Sequence, residues 1–91
     1  MLKVYKRNGN LEDFNHQTLV TSLVNTGYDM NFTLNQRETE LLVQDVEKAI
    51  IAFRGEDGYT STYEIGAIVI NVLDRIGYTK LANTYYKNRI R

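Results

Sequence analysis

Some residue types are absent or rare in this chain of 91 residues, and each absence removes a class of function. There is no cysteine, which excludes disulfides, thiolate zinc sites, iron–sulfur clusters and a cysteine nucleophile. The single histidine, His16, cannot form a histidine metal cluster by itself. Proline is also absent, so no candidate helix is interrupted by one.

Long apolar segments are missing as well. No apolar run approaches the ~20 residues that span a bilayer, and the N-terminus lacks the apolar stretch of a secretory signal. Hydrophobic residues make up 43% and charged residues 24% of the chain, which is typical of a globular domain. We therefore expect a soluble, cytoplasmic protein that forms a single domain over residues 1–91.

Charge is balanced in number but not in position. Eleven basic residues match eleven acidic ones, which argues against a general nucleic-acid or anionic-membrane binder. The two ends of the chain nevertheless carry seven basic residues and no acid: Lys3, Lys6, Arg7, Lys80, Lys87, Arg89 and Arg91. If the fold brings the ends together, a local basic site forms on a neutral protein.

The first fourteen residues have the pattern of a β-hairpin. Apolar and polar residues alternate over 2–7, and a second segment follows at 10–14. Asn8-Gly9 between them suits a type I′ turn, in which both central residues need a positive φ.

Four helices are predicted after the hairpin. Residues able to cap a helix precede each one: Asn15, Thr33, Ser61 and Thr79. The first three helices are expected to end at turns that contain Gly27, Gly55 and Gly77. The second helix has an apolar stripe of Leu34, Leu41, Leu42, Val46, Ala49, Ile50 and Phe53. The sequence thus predicts an α+β fold that is mostly α.

Catalysis finds little support in these residues. No Ser, Thr or Cys nucleophile lies at a sequence spacing from His16 that indicates a catalytic pair, so His16 is interpreted as a surface residue. The acidic residues of the second helix are interpreted as its solvated face rather than as a metal site: Glu38, Glu40, Asp45 and Glu47. A DNA-binding helix is not favoured either, since the third helix carries Arg75 against Glu64 and Asp74.

Three features leave alternatives open. Lys6-Arg7-Asn8-Gly9 can hold a phosphate, because adjacent cations at a tight turn oppose its charge, or it can protect an edge strand from aggregation. Gly66 inside the third helix permits close approach of either a neighbouring helix or a ligand. The seven tyrosines of the chain can likewise line a pocket or cover the core.

The order of several short motifs resembles a known family, the ATP-cone domain. The residues that carry the resemblance are Val4-Tyr5-Lys6-Arg7-Asn8-Gly9, Glu12, Phe14, Asn15, Thr62-x-x-Ile65-Gly66, Val69, Leu73, Leu81-Ala82-x-x-Tyr85 and Arg89. ATP cones are regulatory modules of many ribonucleotide reductases and of the zinc-ribbon repressor of reductase genes. A repressor of that kind needs four cysteines, which this chain lacks.

The resemblance implies a four-helix bundle (15–91) capped by a small N-terminal β-hairpin lid (1–14), with ATP or dATP between them, accompanied or not by Mg²⁺. It implies phosphate contacts for Lys6 and Arg7 and a further cation from Arg89 or Arg91. The remaining implied contacts of the nucleotide are Val4, Glu12, Asn15, Thr18, Leu19, Thr62, Ile65 and Gly66. Thr18 stands where the family usually has lysine, and Asn8 where it usually has aspartate.

The function implied is that of a non-enzymatic allosteric sensor of ATP or dATP, working through its oligomeric state or through a partner such as a ribonucleotide reductase. Two alternatives stay open. The chain can be an isolated N-terminal regulatory fragment of a reductase, or an interaction module without a ligand whose tyrosine-rich face binds a protein.

Overall fold

The computed structural model describes residues 1–89, which form three short strands and four helices. In chain order these are β1 (Lys3–Tyr5), β2 (Leu11–Asp13), α1 (His16–Asp29), α2 (Gln36–Arg54), β3 (Tyr59–Ser61), α3 (Thr62–Arg75) and α4 (Thr79–Arg89). The predicted fold class, α+β and mostly helical, is confirmed. Within these residues, no helix has both the length and the apolar character that crossing a membrane requires.

The hairpin is confirmed, but its turn differs from the prediction. β1 and β2 pair antiparallel, with Val4 opposite Glu12. Asn8 does not adopt a positive φ, so a type I′ turn is wrong; Gly9 does, at +86°. The Lys6 amide donates to the Asn10 carbonyl at 2.8 Å, and the Gly9 amide donates to the Lys6 carbonyl at 2.9 Å. The loop is therefore the three-residue kind that ends on a left-handed glycine.

A third strand corrects the expectation that residues 15–91 are entirely helical. β3 pairs parallel with β1, which makes a three-stranded sheet in the order β2-β1-β3. The Lys3 amide donates to the Gly58 carbonyl at 3.0 Å just before β3 begins. Because β1 and β3 are more than fifty residues apart in sequence, their pairing depends on α1 and α2 bringing the chain back to the first strand.

The ends of α1 and α2 depend on asparagine and on one close contact. Asn15 caps α1 as predicted, with its side chain accepting from the Thr18 amide at 3.2 Å. The predicted end at Gly27 is wrong, since α1 continues to Asp29. Gly27 is needed for space, because a Cβ there would lie 2.4 Å from the Phe32 carbonyl oxygen. Asn35, not Thr33, caps α2.

The last two helices follow their sequence signals closely. Ser61 caps α3, its hydroxyl accepting from the Glu64 amide at 3.1 Å. After α3 ends at Arg75, Gly77 turns the chain at a φ of +98°, as the predicted glycine stop requires. Thr79 is the first residue of α4 rather than its cap.

The core lies where the helices meet. α1 packs against α2 and α4, and α3 packs against the same two helices. The fully buried apolar side chains come from all four helices: Leu23, Val43, Val46, Ile50, Val69, Leu73 and Leu81. The predicted stripe of α2 is wrong at three positions: Leu41 is 51% and Phe53 is 70% exposed, and Leu34, although buried, lies before the helix begins at Gln36. The Phe53 ring instead lies 4.8 Å from the Arg54 guanidinium.

Candidate functional site

A cavity of about 110 Å³ lies between the sheet and three of the helices. β1 and the residue after it supply Val4 and Lys6, the segment before α1 supplies Phe14 and Asn15, and the helices supply Thr18, Leu19, Ser22, Thr62, Ile65 and Tyr85. Residues from the first strand and from the last helix thus line the same cavity. β1 and α4 therefore meet at this cavity, and among the described residues that line it Lys6 is the one basic residue.

Seven of the twelve predicted site residues lie around this cavity: Val4, Lys6, Asn15, Thr18, Leu19, Thr62 and Ile65. The structure does not bring Arg7, Glu12 or Gly66 into the lining. Arg89 is the last residue of α4, and Arg91 falls outside the described residues. The cavity also includes Phe14, Ser22 and Tyr85, to which the sequence interpretation gave no contact with a ligand.

The wall of the cavity combines an apolar surface with hydroxyl groups. Val4, Leu19 and Tyr85 are all buried and offer contact to a flat apolar group. Asn15, Thr18 and Ser22 follow at spacings of three and four residues, which places them on one face of α1 and its cap. Such a wall suits a ligand that joins a ring to polar substituents.

Positive potential enters the cavity from two directions. Lys6 carries a charge, and no carboxylate occurs among the described residues that line the cavity. α1 begins at this wall and has no acidic residue in its first turn, so its amide dipoles favour an anion. The cavity therefore suits an anionic ligand with an apolar ring.

His16 fixes the start of α1 without lining the cavity. Its Nε2 lies 2.8 Å from Glu40 Oε2 on α2. This contact joins the first turn of α1 to α2. The interpretation of His16 as a partly exposed residue of the surface agrees with this position.

Arg7 does not line the cavity that Lys6 lines. Its guanidinium lies 5.6 Å from the centre of the Tyr63 ring, on the first turn of α3. A cation at this distance from an aromatic face is attracted by it, so the contact helps to hold the hairpin turn beside α3.

Glu12 and Gly66 lie next to lining residues. Glu12 is the cross-strand partner of Val4, so the two side chains share one face of the sheet. Gly66 is buried in α3 directly after Ile65. Both positions are adjacent to the cavity rather than part of its wall.

The three lining residues that were not among the predicted site residues differ in how clearly the sequence indicates them. Tyr85 and Phe14 belong to the motif pattern itself, so their place in the pattern marked them. Ser22 lies one helical turn after Thr18, and the i, i+4 spacing on a capped helix was enough to place it on the same face.

Comparison with known families identifies the family of the chain. A family model described as the ATP cone domain matches residues 2–89. The chain belongs to the ATP-cone family. A search of curated proteins finds no match. Membership makes this ATP cone a nucleotide-binding regulatory domain in general, and domains of this family are regulatory rather than catalytic.

Metal ligands do not gather in the part of the ATP cone that the structure describes. Residues 1–89 contain no group of three or more His, Asp or Glu side chains placed to hold a metal ion. The acidic residues of α2, weighed above as a metal site, form no such group among the described residues.

Proposed function

We propose that this ATP cone binds ATP or dATP reversibly in the cavity under the sheet and acts as an allosteric sensor. The observation that carries the proposal is the meeting of Lys6, the start of α1 and a buried apolar wall in one cavity. A triphosphate needs cations and amide donors, whereas an adenine ring needs apolar contact. The family of the chain supports the same ligand class.

In the proposed arrangement, the adenine ring contacts the apolar wall formed by Val4, Leu19 and Tyr85. The phosphates lie toward Lys6 and the first turn of α1, where charge and dipole act together. Glu12 and Asn15, at the edge of the same wall, contact the ribose.

Further cations come from residues outside the lining. Arg7 leaves its position over Tyr63 to reach the phosphates, and Arg89 or Arg91 adds a cation from the end of the chain. Mg²⁺ accompanies the nucleotide, and we assign it no ligand from the protein.

Sensing requires two conformations that bind the nucleotide differently. The sheet acts as the lid over the bundle of four helices, but its parts differ in freedom. β1 is the central strand and is held on both sides, whereas β2 is an edge strand and the turn at residues 6–10 is exposed apart from half-buried Lys6. We propose that β2 and this turn move on binding, and that the change reaches a second copy of the chain or a partner such as a ribonucleotide reductase.

Thermal unfolding tests the proposal directly. A ligand that binds only the folded state stabilises it by about 2.7 kcal/mol at a hundredfold excess over its dissociation constant. ATP or dATP should therefore raise the melting temperature clearly, and adenosine should raise it much less because it lacks the phosphates. A melting curve that millimolar ATP, dATP and ADP all leave unmoved would show that the proposed function is wrong.

The alternative of a protein-interaction module is favoured by one observation. Tyr5 and Tyr59 stack on the outer face of the sheet with ring centres 5.9 Å apart, and about half of each side chain is exposed. An exposed aromatic pair is typical of interaction surfaces. Calorimetric titration with ATP separates the two functions, since an interaction module without a ligand gives no saturable heat.

A further inference from the structure

Behind the cavity, one carboxylate joins three elements. Glu64 in the first turn of α3 accepts from Arg54 at the end of α2, with distances of 2.9 Å to Nε and 2.5 Å to Nη2. It also accepts from the Thr60 hydroxyl of β3 at 2.7 Å. We refer to Arg54, Thr60 and Glu64 as the Arg54–Glu64 clamp. Paired contacts between a guanidinium and a carboxylate fix orientation as well as distance.

The backbone around the clamp is also closely packed. Gly55 caps α2 at a φ of +86°, its amide donating to the Ile51 carbonyl at 2.7 Å. A Cβ on Gly58 would lie 2.0 Å from the Arg54 carbonyl oxygen, so the chain returns tightly against the end of α2. The Gly58 carbonyl then accepts from Lys3 at the start of β1. The clamp therefore rests on a corner where α2 and the sheet are already held together.

Two members of the clamp are next to residues of the cavity wall, although none of the three lines the cavity. Thr60 lies opposite Val4 in the register of β3 and β1. Thr62 and Ile65 flank Glu64 in the first turn of α3, and both line the cavity. Glu64 thus lies between the α3 wall and the strand that pairs with β1, and the Thr62 hydroxyl also donates to the Tyr5 carbonyl of β1 at 3.4 Å.

We propose that the Arg54–Glu64 clamp positions the α3 wall of the cavity and so sets the affinity for nucleotide, with Glu64 as a positioning residue. This inference rests on the proposed function, since it assigns the cavity to a nucleotide. The clamp acts through geometry: it holds Thr62 and Ile65 at the separation from Val4 that the ligand requires.

A direct electrostatic effect of Glu64 on the phosphates predicts the opposite change in ATP affinity, so experiment can distinguish the two explanations. If Glu64 acted only by its charge on the phosphates, Glu64→Gln would remove a repulsion and tighten ATP binding. If Glu64 positions the wall, the same substitution loosens the paired contact with Arg54 and weakens binding. Arg54→Lys adds a second distinction, because it keeps the charge but cannot make the paired contact.

Calorimetric titration of the chain with ATP tests the clamp. Glu64→Gln and Arg54→Lys should each weaken ATP binding by about 3- to 10-fold, a usual range for residues that act through others. Asp13→Asn is the matched control, because Asp13 pairs with Lys3 on the outer face of the sheet, away from the cavity. The control should leave affinity within about twofold.

Amide hydrogen exchange without nucleotide supplies a second measurement. Residues 59–66 should exchange faster in both clamp variants and at the wild-type rate in Asp13→Asn, because the clamp joins this segment to α2, whereas Asp13 pairs with Lys3. If the wild-type chain binds ATP and Glu64→Gln binds it with unchanged or higher affinity, the proposed role of the clamp in nucleotide affinity is wrong. The proposed function is not contradicted by that result. If the wild-type chain binds no ATP, the proposed function is wrong, and so is the proposed effect of the clamp on nucleotide affinity. The exchange rates of residues 59–66 then decide whether the clamp holds the α3 wall of the cavity.

Discussion

Lys6 and Arg7 are neighbours in the sequence, yet their side chains lie in different surroundings at the hairpin turn. Lys6 is half-buried and lines the cavity, whereas the exposed Arg7 places its guanidinium 5.6 Å from the centre of the Tyr63 ring. Adjacent residues at the end of a strand point in different directions, so a pair of cations does not act as one unit. The two residues should therefore contribute unequally to nucleotide binding.

Lys6→Ala should weaken ATP binding more than Arg7→Ala does. A charge-assisted hydrogen bond is worth about 1.5 to 3 kcal/mol, or roughly 10- to 100-fold in affinity. Arg7 gains less, because reaching the phosphates gives up its contact with Tyr63, worth about 0.5 to 1 kcal/mol at an exposed site. Calorimetric titration measures both, with Lys3→Ala as the control cation of the same strand. If wild type and Lys6→Ala bind ATP with equal affinity, Lys6 does not bind the phosphates. Lys6 and Arg7 are then better explained as charges that protect the strand from aggregation.

Asn15 and Asn35 form a matched pair of helix caps that separates stability from binding. Their side chains accept from the Thr18 amide at 3.2 Å and from the Glu38 amide at 2.7 Å. Alanine at either position should cost about 1 kcal/mol of unfolding free energy. Only Asn15→Ala should also weaken ATP binding, since Asn35 does not line the cavity. Denaturant unfolding and ATP titration of both variants check this, and an equal loss of affinity in both would contradict the position given to the nucleotide.

Local signals in the sequence predict most of the helices but not their exact limits. Asn15 and Ser61 were identified as caps because their side chains can accept from amides two or three residues later. The capping-box pattern of Thr33 and Gln36 predicts Thr33 as the cap of α2, which is wrong because α2 begins at Gln36 and the Asn35 side chain accepts from the Glu38 amide. Gly27 was expected to end α1, but its role is to leave space for the Phe32 carbonyl. That close approach exists only in the folded chain, so a local sequence pattern does not predict it.

Long-range contacts account for what the sequence could not predict. β3 has three residues, too few for a period-2 pattern, and its partner β1 lies far away in the chain. Seven of the site residues that the resemblance to the family implies do line the cavity. The position of Arg7 over Tyr63 follows from the packing of the hairpin on α3, which no local pattern encodes.

Stability should fall at acid pH through Glu64. Hydrogen bonding to Arg54 lowers the pKa of the Glu64 carboxyl below its ordinary value. The unfolded chain therefore takes up this proton first as pH drops below about 4.5, and the stabilisation, complete above that pH, is lost as pH falls through the lower folded pKa. Denaturant unfolding should show wild type more stable than Glu64→Gln at neutral pH, with a gap that narrows in acid. A gap that stays constant or widens in acid would contradict the low pKa.

Thr18→Lys tests the position of the phosphates most directly. Thr18 lines the cavity one turn into α1, near amides that favour anions, and it stands where the family usually has lysine. The substitution should tighten ATP binding by about tenfold, or 1.4 kcal/mol, more than an exposed ion pair gives. Gln17→Lys is the control, because it adds the same charge at the same helix end but outside the lining. The gain should shrink as salt is raised, since part of it is screened attraction. Equal gains in both variants would trace the effect to general charge, and no gain in Thr18→Lys would place the phosphates elsewhere.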